Sequence, residues 1–329
     1  MGEDCLGKKV LSNGGRLLPL IVPTALSGGT GLMNPSIYMD GDKLLVAIRH
    51  INYALYHAEK LKFCYTYGPL AYLNPETDMH LRTSIFIAEL DKSTLKIKKV
   101  SPVIMLPIAT ANNEFIGLED ARLFRWEGKL YLCGVRRDAD PKGIGRMELS
   151  EIEESDDTYV ERERSRLPIP GPSESFCEKN WMPILTESYH FVKWMRPTEV
   201  VEYNPVTNIT KTIILGPDNP KITDNFRGGS QVIPLGDMFM AVVHTTHLEP
   251  TAVKHKDATY RHHFVVFDKE FNVAHITQPF SFMDARIEFC CGLVQQGDNL
   301  LLSFGYQDNA SYILEVPLPV VAEMLGVAL

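Results

Sequence analysis

Five stretches of the chain consist of an apolar arm, a turn signal and a second apolar arm, which is the pattern of a β-hairpin. Further strand-like runs lie between them, at residues 84–90, 199–205, 210–215 and 262–268. The hairpin pattern predicts an all-β chain with turns at Gly41, Gly128, Glu187-Ser188, Gly236 and Gly297.

Polar residues stand at the end of each hairpin that lies away from its turn. Residues equally distant from a turn are cross-strand neighbours, so these groups are expected to meet in pairs. The residues before the turns are Asn34, Asp120, Lys179, Arg227 and Glu288. Those after the turns are Arg49, Arg136, Arg196 and His244, with Asp308 slightly later.

Hairpins that recur every roughly 50–60 residues have the size of propeller blades. We therefore predict a five-bladed β-propeller, a single domain over residues 1–329 with blades over roughly 20–316. The interval between Gly41 and Gly128 is longer and predicts an insertion. The last residues, LPVVAEMLGVAL, predict a short helix that docks on the body of the chain or on a partner subunit. A homo-oligomer is therefore one of the expectations.

Two segments do not fit the repeat. Residues 151–166 are densely charged and predict a solvated loop or a surface helix. Radial blades would point the hairpin ends that lie away from the turns at one central mouth. Residues 52–73 are rich in aromatic side chains, which either wall this mouth or pack on the first blade.

Composition narrows the class of function. The net charge of −8 argues against a non-specific nucleic-acid binder. We expect no membrane association, since the chain lacks an apolar run of about 18 residues and its first residues do not resemble a signal peptide. Six cysteines without a C-x-x-C pair predict reduced thiols and a cytoplasmic location.

The proposed mouth is basic although the whole chain is acidic, which favours an anionic ligand such as phosphate. Glycosyl transfer needs an acid for the leaving oxygen, and an inverting hydrolase needs a second carboxylate to activate water. A phosphorylase replaces that second carboxylate with cations that hold phosphate. Asp120 beside a basic cluster fits a phosphorylase better, and the histidine spacing fits no standard zinc site, so we expect no metal and no cofactor.

An ordered set of short motifs resembles glycoside hydrolase family 130, the β-1,2-mannoside phosphorylases. It is most similar to their protozoan relatives, the mannosyltransferase/phosphorylases of mannan (mannogen) metabolism. Ala121 stands where that family usually has proline, which loosens the loop that holds Asp120. The motifs are Asn34-Pro35-Ser36, Glu119-Asp120-Ala121-Arg122, Lys179-Asn180, His244, Tyr260-Arg261 and Phe304-Gly305-Tyr306-Gln307-Asp308.

The resemblance implies a five-bladed propeller and an inverting reaction in which Asp120 is the general acid and acts through a sugar hydroxyl. Inorganic phosphate is then a co-substrate, and which of Arg136 and Arg137 meets it stays open. The predicted phosphate-binding residues are Arg136, Arg137, Lys179, His244, Tyr260 and Arg261. The predicted substrate-binding residues are Asn34, Arg49, Glu119, Arg122 and Asp308.

These assignments predict phosphorolysis of β-1,2-linked manno-oligosaccharides to mannose 1-phosphate, and the reverse synthesis. The resemblance adds GDP-mannose as a second donor, because both donors present phosphate to the same cations. Two alternatives remain, an inverting β-mannoside hydrolase and a non-catalytic carbohydrate-binding propeller. Dependence on phosphate separates the first two, and turnover separates both from the third.

Overall fold

The computed structural model describes residues 4–57, 70–109, 114–171, 175–250 and 256–327. The fold is all-β, built mainly of antiparallel strands numbered β1 to β24 along the chain, with short helices near both ends. Within the described segments, no helix is long and apolar enough to cross a membrane.

The first and second groups of strands share one large sheet, because their outer strands β7 and β12 pair in parallel between residues 103–104 and 159–160. The first group comprises β2 (Leu32–Asp40), β3 (Lys43–Ile51), β6 (Leu81–Leu90) and β7 (Ile97–Ile104). The second comprises β9 (Leu118–Trp126), β10 (Lys129–Arg136), β11 (Arg146–Ser155) and β12 (Thr158–Arg166).

The third and fourth groups are separate antiparallel sheets. The third comprises β13 (Met182–Pro183), β14 (His190–Met195), β15 (Thr198–Asn204) and β16 (Ile209–Leu215). The fourth comprises β17 (Phe226–Gly228), β18 (Ile233–Leu235), β19 (Met238–Pro250), β20 (Lys256–Phe267) and β21 (Val273–Ile276).

The fifth group joins the two ends of the described chain. Strand β1 (Arg16–Pro19) pairs with the last strand, β24 (Ala310–Pro317), with Arg16 opposite Glu315. The order in the sheet is β1, β24, β23 (Asn299–Tyr306) and β22 (Glu288–Gln296). The N-terminal part of the chain therefore completes the sheet that its C-terminal part begins.

The first and last helices cover the fifth group. Leu6 and Val10 of α1 (Leu6–Ser12) share one hydrophobic cluster with Val320 and Val321 of α3 (Leu318–Leu325). The predicted C-terminal helix is confirmed, and it docks on the body of the chain. The remaining elements are α2 (Thr24–Ser27), the hairpin of β4 (Ala54–His57) and β5 (Leu70–Leu73), and β8 (Phe115–Ile116).

The predicted hairpins are present, with β4 and β5 inserted between strands β3 and β6 as the longer first interval predicts. The pairs nearest the turns are Asp40–Lys43, Trp126–Lys129, Pro183–Phe191, Leu235–Met238 and Gln296–Asn299.

The prediction of a loop or helix over residues 151–166 is wrong, since this segment forms most of the hairpin β11–β12. Its charges pair with each other across the two strands, as Arg162 does with Glu153 at 2.8 Å. Glu148 and Glu161 even lie buried, each against arginine side chains. Charge pairing within a sheet therefore explains why so polar a segment is ordered.

Gln231, in the segment between β17 and β18, connects four groups of strands through hydrogen bonds of its side chain. The side chain is fully buried. Its Nε2 donates to the backbone oxygens of Ile37 in β2 (3.1 Å) and Leu123 in β9 (2.7 Å). Its Oε1 accepts from the backbone nitrogen of Leu293 in β22 at 3.1 Å. Strands of the first, second, fourth and fifth groups thus meet around one side chain.

Candidate active site

Asp120 lies in a β-bulge of strand β9. Arg122 pairs with Cys133 and Glu119 with Val135, which leaves Asp120 and its neighbour opposite Gly134. The backbone of Asp120 is left-handed, with φ of 51°. A side chain at Gly134 would collide with the carbonyl oxygen of Glu119. The bulge therefore needs a glycine in the facing strand, and it turns Asp120 out of the regular strand alternation.

The carboxylate of Asp120 is held by two side chains of the first group. Its Oδ1 accepts hydrogen bonds from Asn34 Nδ2 at 2.7 Å and from Arg49 Nη1 at 2.8 Å. Burial raises the pKa of Asp120, but Arg49, the Asn34 hydrogen bond, Lys179 and Arg122 together lower it to about 2. Without a ligand, Asp120 is therefore ionised at neutral pH.

Arg49 is the most highly connected cation of the site. Besides Asp120, it contacts Glu119 Oε2 at 3.1 Å, and it donates to Tyr53 Oη at 3.2 Å and Thr83 Oγ1 at 3.1 Å. The side chain is 8% exposed. Arg49 is thus fixed in place, with its charge shared between two carboxylates.

Asp308 is a second carboxyl group of the site, and the charge of Asp120 influences its pKa. It follows β23 in a left-handed conformation, with φ of 51°. Burial and the charge of Asp120 raise the pKa of Asp308 to about 6, although Arg49 and Lys179 act against this. Two carboxyl groups with well-separated pKa values are the arrangement that divides acid and base roles between residues.

Lys179 supplies a cation that no carboxylate of the described residues neutralises. It is exposed, and within the described chain its ammonium group has no ion pair within 4 Å. Its charge nevertheless lowers the pKa values of Asp120, Asp308 and His244. Lys179 is therefore available to bind an anion close to both carboxyl groups.

His244 and Tyr260 form a stacked pair beside these groups, with ring centroids 5.5 Å apart. Burial, together with the charges of His262 and Lys179, lowers the pKa of His244 well below its usual value. Burial and the carboxylates of Asp308 and Asp120 raise the pKa of Tyr260. His244 is therefore neutral and Tyr260 protonated near pH 7, so both can exchange hydrogen bonds with a ligand.

Two of the four remaining predicted cations, Arg122 and Arg136, are enclosed, unlike Lys179. Arg122 is buried and donates to the backbone oxygens of Gly229 and Asp120, both at 2.8 Å. Arg136 is buried between Glu148 (2.7 Å) and Asp138 (3.4 Å). These two arginines are enclosed by protein acceptors, so the geometry does not favour the predicted substrate contact of Arg122 or the phosphate contact of Arg136.

Arg261 points away from the cluster. Neighbouring residues of a strand face opposite sides of the sheet, and Tyr260 occupies the side that faces His244. Arg261 instead influences the pKa values of His262 and Glu288. Glu288, one of the polar residues predicted at a hairpin end, is fully buried and accepts hydrogen bonds from the backbone nitrogens of Met283 and Ala285 at 2.7 and 3.1 Å.

Arg137, the residue after β10, is better placed than its neighbour Arg136 to bind a ligand. Its Nε lies 3.5 Å from Glu119 Oε1, and its guanidinium group lies over the ring of Phe115 at 5.1 Å. The side chain keeps 24% exposure, against 4% for Arg136. Of the two, Arg137 is the one that a ligand can reach.

The described part of the aromatic segment 52–73, which is expected either to wall the mouth or to pack on the first blade, lies beside Arg49. Tyr53 is buried and contacts both Arg49 and the ring of Tyr72, which in turn packs against Phe115. These rings stand beside the charged residues, as a wall of the mouth would. Residues 58–69, which include Phe63, Tyr65 and Tyr67, lie outside the described residues.

No family model matches the sequence, and a search of curated proteins finds no match. Solved structures do match. A β-1,2-mannobiose phosphorylase from Listeria innocua, in complex with β-1,2-mannobiose, has 13% sequence identity and a TM-score of 0.56, over 94% of this chain and 96% of that one.

Two structures from Leishmania mexicana are also similar. A mannose phosphorylase in complex with a phosphate ion has 12% identity and a TM-score of 0.53, over 96% of this chain and 93% of that one. A GDP-Man-dependent mannosyltransferase has 11% identity and a TM-score of 0.51, over 95% and 94%. At these identities the similarity shows that the chain has the fold of these proteins.

Proposed function

We propose that this protein is an enzyme that transfers mannosyl groups between β-1,2-linked manno-oligosaccharides and inorganic phosphate. In the degradative direction the product is mannose 1-phosphate. The observation that carries the proposal is the ammonium group of Lys179, which has no ion pair among the residues that the structure describes and acts electrostatically on Asp120. The same site contains a neutral His244 and a protonated Tyr260. The phosphorylase names of two structural neighbours support the same reaction.

In this reaction a phosphate oxygen attacks the anomeric carbon from the face opposite the leaving sugar, and the configuration inverts. Asp120 supplies a proton to the leaving oxygen through a sugar hydroxyl. We assign phosphate binding to Lys179, Arg137, His244 and Tyr260. Contacts to the mannosyl ring are assigned to Asn34, Arg49, Glu119 and Asp308, of which Arg49 and Asn34 also orient the acid.

The proposal includes the finer points that the resemblance implies. The five groups of strands are the blades of a single-domain propeller, and the chain is a member of glycoside hydrolase family 130. GDP-mannose serves as a second donor, since its phosphate would meet the same cations. The cytoplasmic location and a homo-oligomer stay predictions from the sequence.

One observation favours a second candidate, an inverting mannoside hydrolase. Such an enzyme needs a carboxylate base that activates water, and a pKa of about 6 suits Asp308 for that role. The phosphorylase is preferred, because a hydrolase gives no role to Lys179 and Arg137.

The deciding experiment incubates the protein with β-1,2-mannobiose, with and without inorganic phosphate, and measures mannose and mannose 1-phosphate. A phosphorylase yields mannose 1-phosphate only when phosphate is present. Release of free mannose alone, at a rate independent of phosphate, would establish the hydrolase instead. Binding of mannobiose without any turnover would indicate a carbohydrate-binding protein.

A second arm tests the anion site itself. Sulfate is a tetrahedral anion like phosphate, so it should inhibit competitively against phosphate. Sodium chloride at equal ionic strength should inhibit less, since contacts in a desolvated site are weakly screened. Equal inhibition by both salts would argue against a dedicated phosphate site.

A further inference from the structure

Glu119 lies between two arginines, Arg49 and Arg137, that differ in how firmly they are held. Its Oε2 contacts Arg49 Nη2 at 3.1 Å, and its Oε1 lies 3.5 Å from Arg137 Nε. The carboxylate is 13% exposed. One partly buried acid therefore connects the arginine that holds Asp120 with the arginine that a ligand can reach.

The two contacts of Glu119 are unequal. Arg49 makes a hydrogen bond to it and is held by three further side chains. Arg137 Nε and Glu119 Oε1 are both buried, yet neither forms a hydrogen bond within the described chain. A buried charged atom without a hydrogen bond is costly, so Arg137 gains free energy when a better acceptor arrives.

We propose that Glu119 is the resident counter-ion of Arg137, and that a phosphate group replaces it when the site fills. This inference rests on the proposed function and deepens it. Without an anion, the carboxylate offsets the repulsion between Arg137 and the other cations of the site. With an anion bound, Arg137 turns from Glu119 to the phosphate oxygens, while Arg49 keeps Glu119 in place.

The consequence is a weakened affinity for phosphate. The anion competes with Glu119 for Arg137 and is also repelled by the carboxylate that stays nearby. Removing that charge should therefore tighten phosphate binding, which is the opposite of what the loss of a structural contact does. Glu119 is then a positioning residue that acts on the ligand through Arg137.

The test is isothermal titration of inorganic phosphate into the Glu119→Gln variant without sugar. Glutamine keeps an oxygen for Arg49 and removes the charge. We expect the Kd for phosphate to fall about three- to tenfold, the range of a single ion pair in a partly exposed site. The control is Glu199→Gln, which makes the same charge change at an acid paired with Lys193 at 2.7 Å in the third group, and should leave the Kd unchanged.

A double-mutant cycle assigns the effect to Arg137. Arg137→Ala should weaken phosphate binding, and in that background Glu119→Gln should add no tightening. If Glu119→Gln fails to fold, Glu119→Asp replaces it, because the shorter side chain loses its reach to Arg137 and should also tighten binding. Equal or weaker binding in either Glu119 variant overturns the inference, as does tightening that persists without Arg137. A wild type that binds no phosphate overturns the proposed function itself.

Discussion

Asp120 and Asp308 lie in the same site but have different pKa values. Burial raises the pKa of Asp120, but Arg49, the Asn34 hydrogen bond, Lys179 and Arg122 together lower it to about 2. Burial and the charge of Asp120 raise the pKa of Asp308 to about 6. A general acid must be protonated before it donates. Under the proposed function, the negative charge of a bound phosphate dianion offsets that of Lys179 and raises the pKa of Asp120, so proton donation depends on anion binding.

Asp120→Asn should abolish turnover and leave the fold intact. Asparagine keeps the shape of the side chain but has no acidic proton to donate, and general-acid catalysis is worth about 10²–10⁴-fold in rate. The measurement is the initial rate of phosphorolysis, with Tm as the check on folding. Asp40→Asn, at the turn end of a neighbouring hairpin where Asp40 pairs with Arg125, is the matched control. Near-normal activity of Asp120→Asn would refute the assignment.

Asp308→Asn should stabilise the protein at pH 7.5 by about 1–3 °C in Tm. The folded pKa of about 6 exceeds the unfolded value near 3.9, so ionised Asp308 costs stability above pH 6. As pH falls through 6, the native wild type takes up that proton, and the difference should vanish near pH 4. Tm is measured across this pH range.

Asp218→Asn serves as the comparison for this pH dependence. A hydrogen bond from Arg196 lowers the pKa of Asp218, so its ionised form does not oppose folding. That variant should show no gain in Tm at pH 7.5. A Tm for Asp308→Asn that lies below the wild type at pH 7.5 would contradict the assigned environment of Asp308.

The residues that gather at the site could be predicted in part, since Asn34, Arg49 and Asp120 do meet. The sequence could not tell that Arg136 is enclosed and Arg137 reachable. Side chains alternate along a strand, and a bulge shifts the register by one residue and reverses that alternation. The extra residue of this bulge lies in β9, so Leu118 rather than Glu119 stands opposite Arg136, and a sequence pattern carries no sign of that change.

The bulge of Asp120 is one case of a recurring backbone feature. Asn34 in β2 also lies in a register shift and is left-handed, with φ of 46°. Asn180, which precedes β13, is left-handed with φ of 65°. Asparagine and aspartate tolerate this conformation better than other residues with side chains. The same left-handed backbone conformation, in different groups of strands, thus directs polar side chains toward the candidate active site.

Gly134→Ala should lower activity at least about tenfold and destabilise the fold by about 1–3 kcal/mol. The new methyl group would collide with the Glu119 carbonyl and lie 3.1 Å from Ala121 Cα, which moves the bulge that carries Asp120. Urea unfolding and initial rates measure both effects. Gly216→Ala is the control, because its methyl group meets neighbours at 3.4 Å or more. Equal activity of the two variants would show that the bulge tolerates displacement.

Hairpins were predictable because a turn signal between apolar arms is a local pattern. The hairpin over residues 151–166 was not, because its ordering depends on partners elsewhere in the chain. Glu148 and Glu161 are buried only because Arg136, Arg164 and Arg166 surround them. The charge density of the segment alone predicts that it is solvated. Its pairing as a hairpin follows only from the position of these arginines in the fold.

At the scale of the whole molecule, Gln231→Leu should destabilise the protein by about 3–5 kcal/mol. The variant leaves the backbone groups of Ile37, Leu123 and Leu293 buried without their partner. Chemical unfolding measures the change. Gln295→Leu, on the exposed end of β22, is the control. Equal stability of the two variants would show that the groups hold together without this side chain.

The pairing of β1 with β24 was missing from the sequence-based prediction, which started the blades near residue 20. Strand β1 has only four residues, and its partner lies at the far end of the chain. Local patterns cannot reveal such a pair. The guanidinium group of Arg16 and the carboxylate of Glu315 meet across it, with Nη2 3.1 Å from Oε1.

The pairing of β1 with β24 has a consequence for folding during synthesis on the ribosome. Arg16 and Glu315 are 299 residues apart, so at about 5–20 residues per second their synthesis is separated by roughly 15–60 s. A hairpin forms in microseconds, so the earlier sheets can fold as they emerge while β1 waits without a partner. Formation of the fifth sheet thus waits for translation of β24. Until β24 is made, the nascent chain exposes β1 as an unpaired strand.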